Sequence, residues 1–276
     1  MLRVQLATMT FSVVAYDKEK GEWGVGVASR YLSVGSVVPW AKAGVGAIAT
    51  QSYANYSYGP RGLDLLQKHT AKEVVGILTG EDPLKEKRQL GVVDSKGNSF
   101  AFTGSECHEF AGHFIGNGFS VQGNILAGKD VIDAMVSEMN RPGMIEDRII
   151  RALFAADKHG GDSRGRQSSA LLVVSESRSF EEGTDVVYDI RVEDHRDPLG
   201  ELNRIVGLWK ATNMDKSTID TVANANSINK RLATLGYAKL EDWAYSNSLE
   251  NSVNPGKIGR VAFRILMGET NPGSGL

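Results

Sequence analysis

Residues 10–52 constrain the fold more than any other stretch. TFSVVAYD alternates and is rich in β-branched residues, the polar turn DKEKGE follows, and WGVGVAS resumes the strand pattern. Parallel neighbours need a crossover of about a dozen residues or more, so a turn this short joins antiparallel strands. The runs SVGSVVPW and VGAIATQS continue in the same style, each punctuated by glycine. The first fifty residues therefore read as consecutive antiparallel strands whose glycines let other elements approach the backbone closely.

The period changes at Pro60–Gly80, where Leu63, Leu66, Val74, Val75, Ile77 and Leu78 suit two helical segments. Thr70-Ala-Lys-Glu73 reads as a capping box for the second. RQLGVVDSKGNSFAFTG predicts a second hairpin turning at Ser95–Asn98, and Phe119–Gln122 a further strand. Helices are predicted at Lys129–Asn140 and Ile145–Lys158, the latter closed by Gly160-Gly161. SSALLVVS and DVVYDIRV are the last two strands expected. From Asp197-Pro198 onward only helices are expected: one opened by that pair, then Ser227–Leu235 and Ile258–Leu266. The order predicts an α+β sandwich, two sheets between helical layers, with a small all-α domain after it. The boundaries are residues 1–9 as an N-terminal extension, 10–197 as the sandwich and 198–276 as the helical domain.

Composition excludes several classes of partner. Thirty-one Lys and Arg against 33 Asp and Glu give a net charge of -2, so no global field draws the chain to nucleic acid or anionic lipid. No apolar run approaches the roughly 18–20 residues of a membrane helix. A single cysteine, Cys107, permits no intrachain disulfide and suits a reducing compartment. MLRVQLAT lacks the apolar core of a secretory signal, and a cytoplasmic protein is expected. HExxH, paired CxxC and phosphate-loop motifs are absent. Glu193–Asp197 reads as a solvated strand-to-helix junction rather than a metal cluster, so neither metal nor organic cofactor is expected.

The positive signals are polar strings at the ends of apolar strands. They are Ser29-Arg30-Tyr31, Gln51-Ser52-Tyr53-Ala54-Asn55, Gln122-Gly123-Asn124 and Gly160–Ser168, sequence GGDSRGRQS. Singly, each is a turn with satisfied side chains; four of them at strand ends suggest one polar pocket.

Over residues 10–198 the chain resembles the domain of unknown function 1028 family. The resemblance rests on TFSVVAYD, GVGVASRYLSVGSVVPWAKAGVGAIATQS, YGPRGLDLL, QGNILAG, GGDSRGRQSSALLVV and DIRVEDHRDP. It implies the four-layer αββα sandwich of N-terminal-nucleophile hydrolases. LATLGYAKLEDW and SLENSVNPGKIG are similar to a C-terminal domain associated with peptidoglycan binding in many members.

In hydrolases of that fold the first residue is Thr, Ser or Cys, and its own α-amine, with a pKa of about 7.7, serves as the base. Members often begin Met-Thr-Phe, which Met9-Thr10-Phe11 matches, so the resemblance makes Thr10 the nucleophile. Here the chain departs from the pattern, because eight residues precede Met9 and give Thr10 a non-basic amide nitrogen. Translation from Met9, or cleavage before Thr10 after folding, would free the amine. Ser29 and Arg30 are then expected beside its hydroxyl. Lys42 is expected to lower the nucleophile's pKa and Asn124 to donate to the oxyanion. Gln51, Asn55 and Gln122 would bind substrate; Asp162, Arg164 and Gln167 would orient the amine or clamp a substrate carboxylate. Two functions from different classes follow. One is an amidohydrolase acting on a small amide or peptide-like metabolite; the other is a non-catalytic small-ligand-binding protein, and a homo-oligomer is expected in either case.

Overall fold

The computed structural model describes residues 10–179, 182–214 and 217–269. The chain divides into two compact units, residues 1–202 and 203–276. The first opens with β1 (Thr10–Asp17) and β2 (Glu22–Ser29), paired antiparallel from Thr10↔Ser29 to Asp17↔Glu22. A 3-10 turn at Val34–Ser36 precedes β3 (Pro39–Lys42) and β4 (Gly46–Ser52). Helices α1 (Tyr58–Leu66) and α2 (Ala71–Gly80) follow, then β5 (Arg88–Asp94), β6 (Ser99–Thr103), β7 (Gly112–Gly116) and β8 (Phe119–Gly123). Helices α3 (Lys129–Met139) and α4 (Ile145–Lys158) lead to β9 (Ser168–Ser175) and β10 (Val186–Val192).

These strands form two antiparallel sheets, β10-β9-β2-β1-β8-β7 and β3-β4-β5-β6. The two-residue period of a strand decides which sheet face each side chain occupies. Gly24 and Gly26 of β2 face α4. A Cβ added at Gly26 would lie 2.1 Å from Ile149 Cγ2, so glycine is what lets the helix lie that close. On the other sheet, Ile48, Leu90 and Val92 pack with Tyr58, Leu66, Val74, Val75 and Leu78 of α1 and α2. The opposite strand faces meet each other: Val14, Val25, Val27, Ala47, Ala49 and Val93 share one buried cluster.

The capping box is present at α2, where the Thr70 hydroxyl accepts from the Glu73 N–H and the Glu73 carboxylate accepts from the Thr70 N–H. After α4, Gly161 takes a φ of +46° while its N–H returns to the Ala156 carbonyl, a backbone state suited to glycine. The predicted strand around Ser33–Trp40 is broken by the 3-10 turn, and β7, unmarked in the sequence reading, lies in its glycine-rich stretch.

Helix α5 (Pro198–Trp209) spans the division between the units. The second unit holds β11 (Thr218–Asp220), α6 (Ala225–Leu235), α7 (Leu240–Ser246), β12 (Val253–Asn254), β13 (Lys257–Gly259) and α8 (Arg260–Leu266). The all-helical expectation for this region is corrected: β11-β13-β12 form a small antiparallel sheet. Strands of two or three residues are too short to display a period, which is why the sequence concealed them. Its core gathers Ile228, Leu232, Trp243, Leu249, Ile258, Val261 and Leu266. No helix among the described residues is long and apolar enough to cross a membrane.

Candidate functional site

Thr10 and Ser12 open β1 on the face that looks toward the other sheet, and there the inter-sheet layer changes from apolar to polar. Two residues before Val93 on β5 come Gly91 and then Gln89; two beyond Ala49 on β4 comes Gln51. Opposite them stand Ser12, Ser120 and Gln122, and all of these side chains are buried.

The layer is knitted by side-chain hydrogen bonds. Ser12 Oγ donates to Gln51 Oε1 at 2.6 Å, and Gln122 Nε2 donates to Ser12 Oγ at 2.7 Å. Gln51 Nε2 donates to Gln89 Oε1 at 2.8 Å and also approaches the carbonyls of Thr10 and Gln122, at 3.3 and 3.4 Å. Asn124 Nδ2 donates to the same Gln89 oxygen at 2.9 Å. Gln89 Nε2 in turn reaches Thr103 Oγ1, the Gly112 carbonyl and the Gly123 carbonyl. Gly91 makes room for this lattice, since a Cβ there would lie 2.3 Å from Gln122 Oε1.

Thr10 sits at the end of the layer. Its hydroxyl donates to Ser29 Oγ at 3.2 Å on the paired strand, and its carbonyl accepts the Asn124 N–H at 3.1 Å. The Thr10 side chain is 0% exposed in the full chain. Beyond Ser29 the chain turns outward. The Arg30 N–H donates to Asp162 Oδ2, and Arg30 Nη1 to the Arg166 carbonyl, both at 2.8 Å. Asp162 is buried and bridges to Leu126, so the loop at 161–166 is tied to both the β2 end and the segment after β8. Its carboxylate accepts from Arg164 through Nε at 3.2 Å and Nη2 at 3.0 Å. A cleft of about 490 Å³ opens here, lined by Arg30, Asp157, Asp162, Ser163, Arg166 and Arg196 with Gly160 and Gly165.

The structure thus brings Thr10, Ser29, Arg30, Gln51, Gln122, Asn124, Asp162 and Arg164 to one end of the sandwich. Gln167 is there too, its N–H on the Ser29 carbonyl and its Nε2 on Asp194. Lys42 is not: it is exposed and pairs with Gly46, five residues along β4 from Gln51, about 17 Å at strand rise. Asn55 is engaged elsewhere as well, donating from Nδ2 to Asp82 and accepting from Ser57 N–H and Oγ. Burial alone would raise the Asp82 carboxyl, but hydrogen bonds from Arg88, the Leu84 N–H, Asn55 and Tyr58 hold it down at about 2. Cys107 is buried, which pushes its thiol up, and the His195 ring is turned to the Asp197 backbone.

Gln89, Ser12 and Arg196 escaped sequence reasoning, and Arg166 entered it only as a member of the GGDSRGRQS string. Gln89 had a readable signal, since it is a glutamine near the end of an otherwise apolar buried strand, as Gln51 and Gln122 are. Its loss should be felt by the whole layer. Gln89→Leu removes the acceptor shared by Gln51 and Asn124, and orphaned buried donors cost roughly 1–3 kcal/mol each. An expected destabilisation of about 3 kcal/mol would appear in equilibrium denaturation; a change under about 0.5 kcal/mol would show the layer to be readily replaced by apolar packing.

No functionally curated protein matches the chain. Among solved structures, a crystal structure of protein SPO2555 from Silicibacter pomeroyi, itself assigned to a family of unknown function (DUF1028), superposes with a TM-score of 0.67 at 28% identity. The match covers 75% of this chain and 92% of that one. The family model for the same family of unknown function matches residues 10–202. The protein belongs to the DUF1028 family.

Proposed function

We propose that the protein is an amide hydrolase of the N-terminal-nucleophile type, with the four-layer αββα arrangement of such enzymes and Thr10 as nucleophile. The observation that carries this reading is the position of Thr10: first residue of a central strand, hydroxyl on Ser29, whose chain neighbour Arg30 lines the arginine-rich cleft. The chemistry requires the bond before Thr10 to be absent, because only a free α-amine is basic near neutral pH. That amine takes the Thr10 hydroxyl proton as Oγ1 attacks the substrate carbonyl. The tetrahedral oxyanion draws on nearby N–H donors, each worth roughly 3 kcal/mol; Asn124, whose backbone N–H meets the Thr10 carbonyl, serves here by turning its side-chain amide away from Gln89. The amine proton then passes to the departing nitrogen. Water hydrolyses the resulting Thr10 ester with the same amine as base, returning the free hydroxyl.

Gln51, Gln89 and Gln122 are assigned to holding β1 in place rather than to touching substrate, since their amides are engaged within the layer. A chain made to begin at Thr10 should hydrolyse members of a panel of small N-acyl amides, whereas the full chain should not. Equal inactivity of both forms, each shown folded by circular dichroism, would remove the reading.

A second reading is favoured by the complete burial of the Thr10 side chain in the full chain. In it the protein binds a small ligand in the arginine-lined cleft without turnover, and residues 1–9 stay attached.

A further inference from the structure

The arginine-lined cleft at the end of β2 carries more charge information than the proposed reaction uses. Its lining contains three guanidinium groups and two carboxylates. The carboxylates are already engaged: Asp162 with Arg164 and the Arg30 N–H, Asp157 with Arg166 Nε at 2.6 Å. Asp197, nearby, also acts on Arg166 and accepts from the Gly200 N–H. Arg30 and Arg196 are different. Both are exposed, and among the described residues neither has a carboxylate within ion-pair distance; Arg30 is steadied only by the Arg166 carbonyl. Two cations without counter-ions at the mouth of a recess, above a floor whose acids are satisfied, favour an anion. The lining sums to one positive charge, which matches a monoanion and would set the second charge of a phosphate dianion against Asp157 and Asp162.

We infer that this cleft is a carboxylate-binding subsite in which Arg30 and Arg196 hold the carboxylate of a small amide or peptide-like ligand. Arg30 directly follows Ser29, the strand partner of Thr10, so its backbone lies about 6 Å from that of Thr10. In naming the substrate's charge the inference rests on the proposed hydrolase reading, while the binding itself requires no free amine.

The test therefore uses the full chain, residues 1–9 attached, and reads binding by titration calorimetry and backbone amide shifts. The probes are N-acetyl-Ala-Ala, the same dipeptide as its C-terminal amide, and inorganic phosphate. N-acetyl-Ala-Ala should bind at least tenfold more tightly than the amide, with shifts centred on Arg30 and Gly160–Arg166. The double variant Arg30→Met/Arg196→Met should weaken it about tenfold or more, and both positions are exposed, so folding is retained. Equal binding of acid and amide, unchanged affinity in the double variant, tighter phosphate binding, or no binding by any probe would each overturn the subsite. Selective carboxylate binding without turnover in a Thr10-initiated chain would keep the subsite and reject the hydrolase.

Discussion

Thr10→Ala, made in a chain that starts at residue 10, is expected to lower amide hydrolysis roughly a thousandfold or more while leaving the protein folded. The substitution is informative because alanine keeps the α-amine and removes only the hydroxyl, so the base survives and the nucleophile does not. Thr10→Ser keeps both and should retain measurable turnover. Alanine at the strand end loses one hydrogen bond, from Thr10 Oγ1 to Ser29 Oγ, worth about 1 kcal/mol. A structural role alone would therefore give two variants about 1 kcal/mol apart in stability and similar in activity. Steady-state rates on an amide that the parent cleaves decide the matter, and an alanine variant with parental rates would end the case for Thr10.

The largest expected effect on stability lies at the other end of β2. Glu22 and Glu146 are both buried, and Arg178 serves both: Nε lies 2.6 Å from Glu22 Oε1, and Nη2 lies 3.2 Å from Glu146 Oε2. Tyr188 adds a hydrogen bond to Glu146 at 3.1 Å. Removing one partner of a buried ion pair leaves an uncompensated charge, so Arg178→Met should cost about 3–5 kcal/mol and lower the melting temperature by roughly 10 °C. The effect should depend on pH with a definite sign. Burial raises the Glu22 carboxyl above its ordinary value, Arg178 opposing and Glu146 reinforcing the rise. A group raised in the folded state contributes stability that is fully present below its unfolded pKa and is lost as pH climbs through the folded value. Without Arg178 the loss deepens, so the penalty should be small near pH 4 and largest above neutrality. Thermal melts across that range check it, and a penalty that shrinks as pH rises would contradict the assignment.

The antiparallel strands were legible because alternation and a six-residue turn leave little choice, and β1, β2, β9 and β10 fall in the runs that predicted them. Helix α4 was legible from its period and its closing glycines. The small sheet of the second unit was not, since strands as short as Val253–Asn254 have no period to read. Within the candidate site, local strings located Ser29-Arg30, Gln51, Gln122-Gly123-Asn124 and the 160–168 loop at strand ends that the structure brings together. What the strings could not convey was direction along a strand. Lys42 lies on the strand next to the one bearing Gln51, yet at its opposite end, and only the register reveals the separation. Nor could they separate amides spent on one another from side chains facing a cleft: Gln51 and Gln122 belong to the first kind, Arg30, Arg166 and Arg196 to the second.

The central claim is that an amine and a hydroxyl coexist on Thr10 in the working molecule. Intact mass with N-terminal sequencing, on protein purified from its native source in its active form, tests that most directly. The account predicts a polypeptide whose first residue is Thr10. An active polypeptide that still carries Met9 and the residues before it would contradict the account.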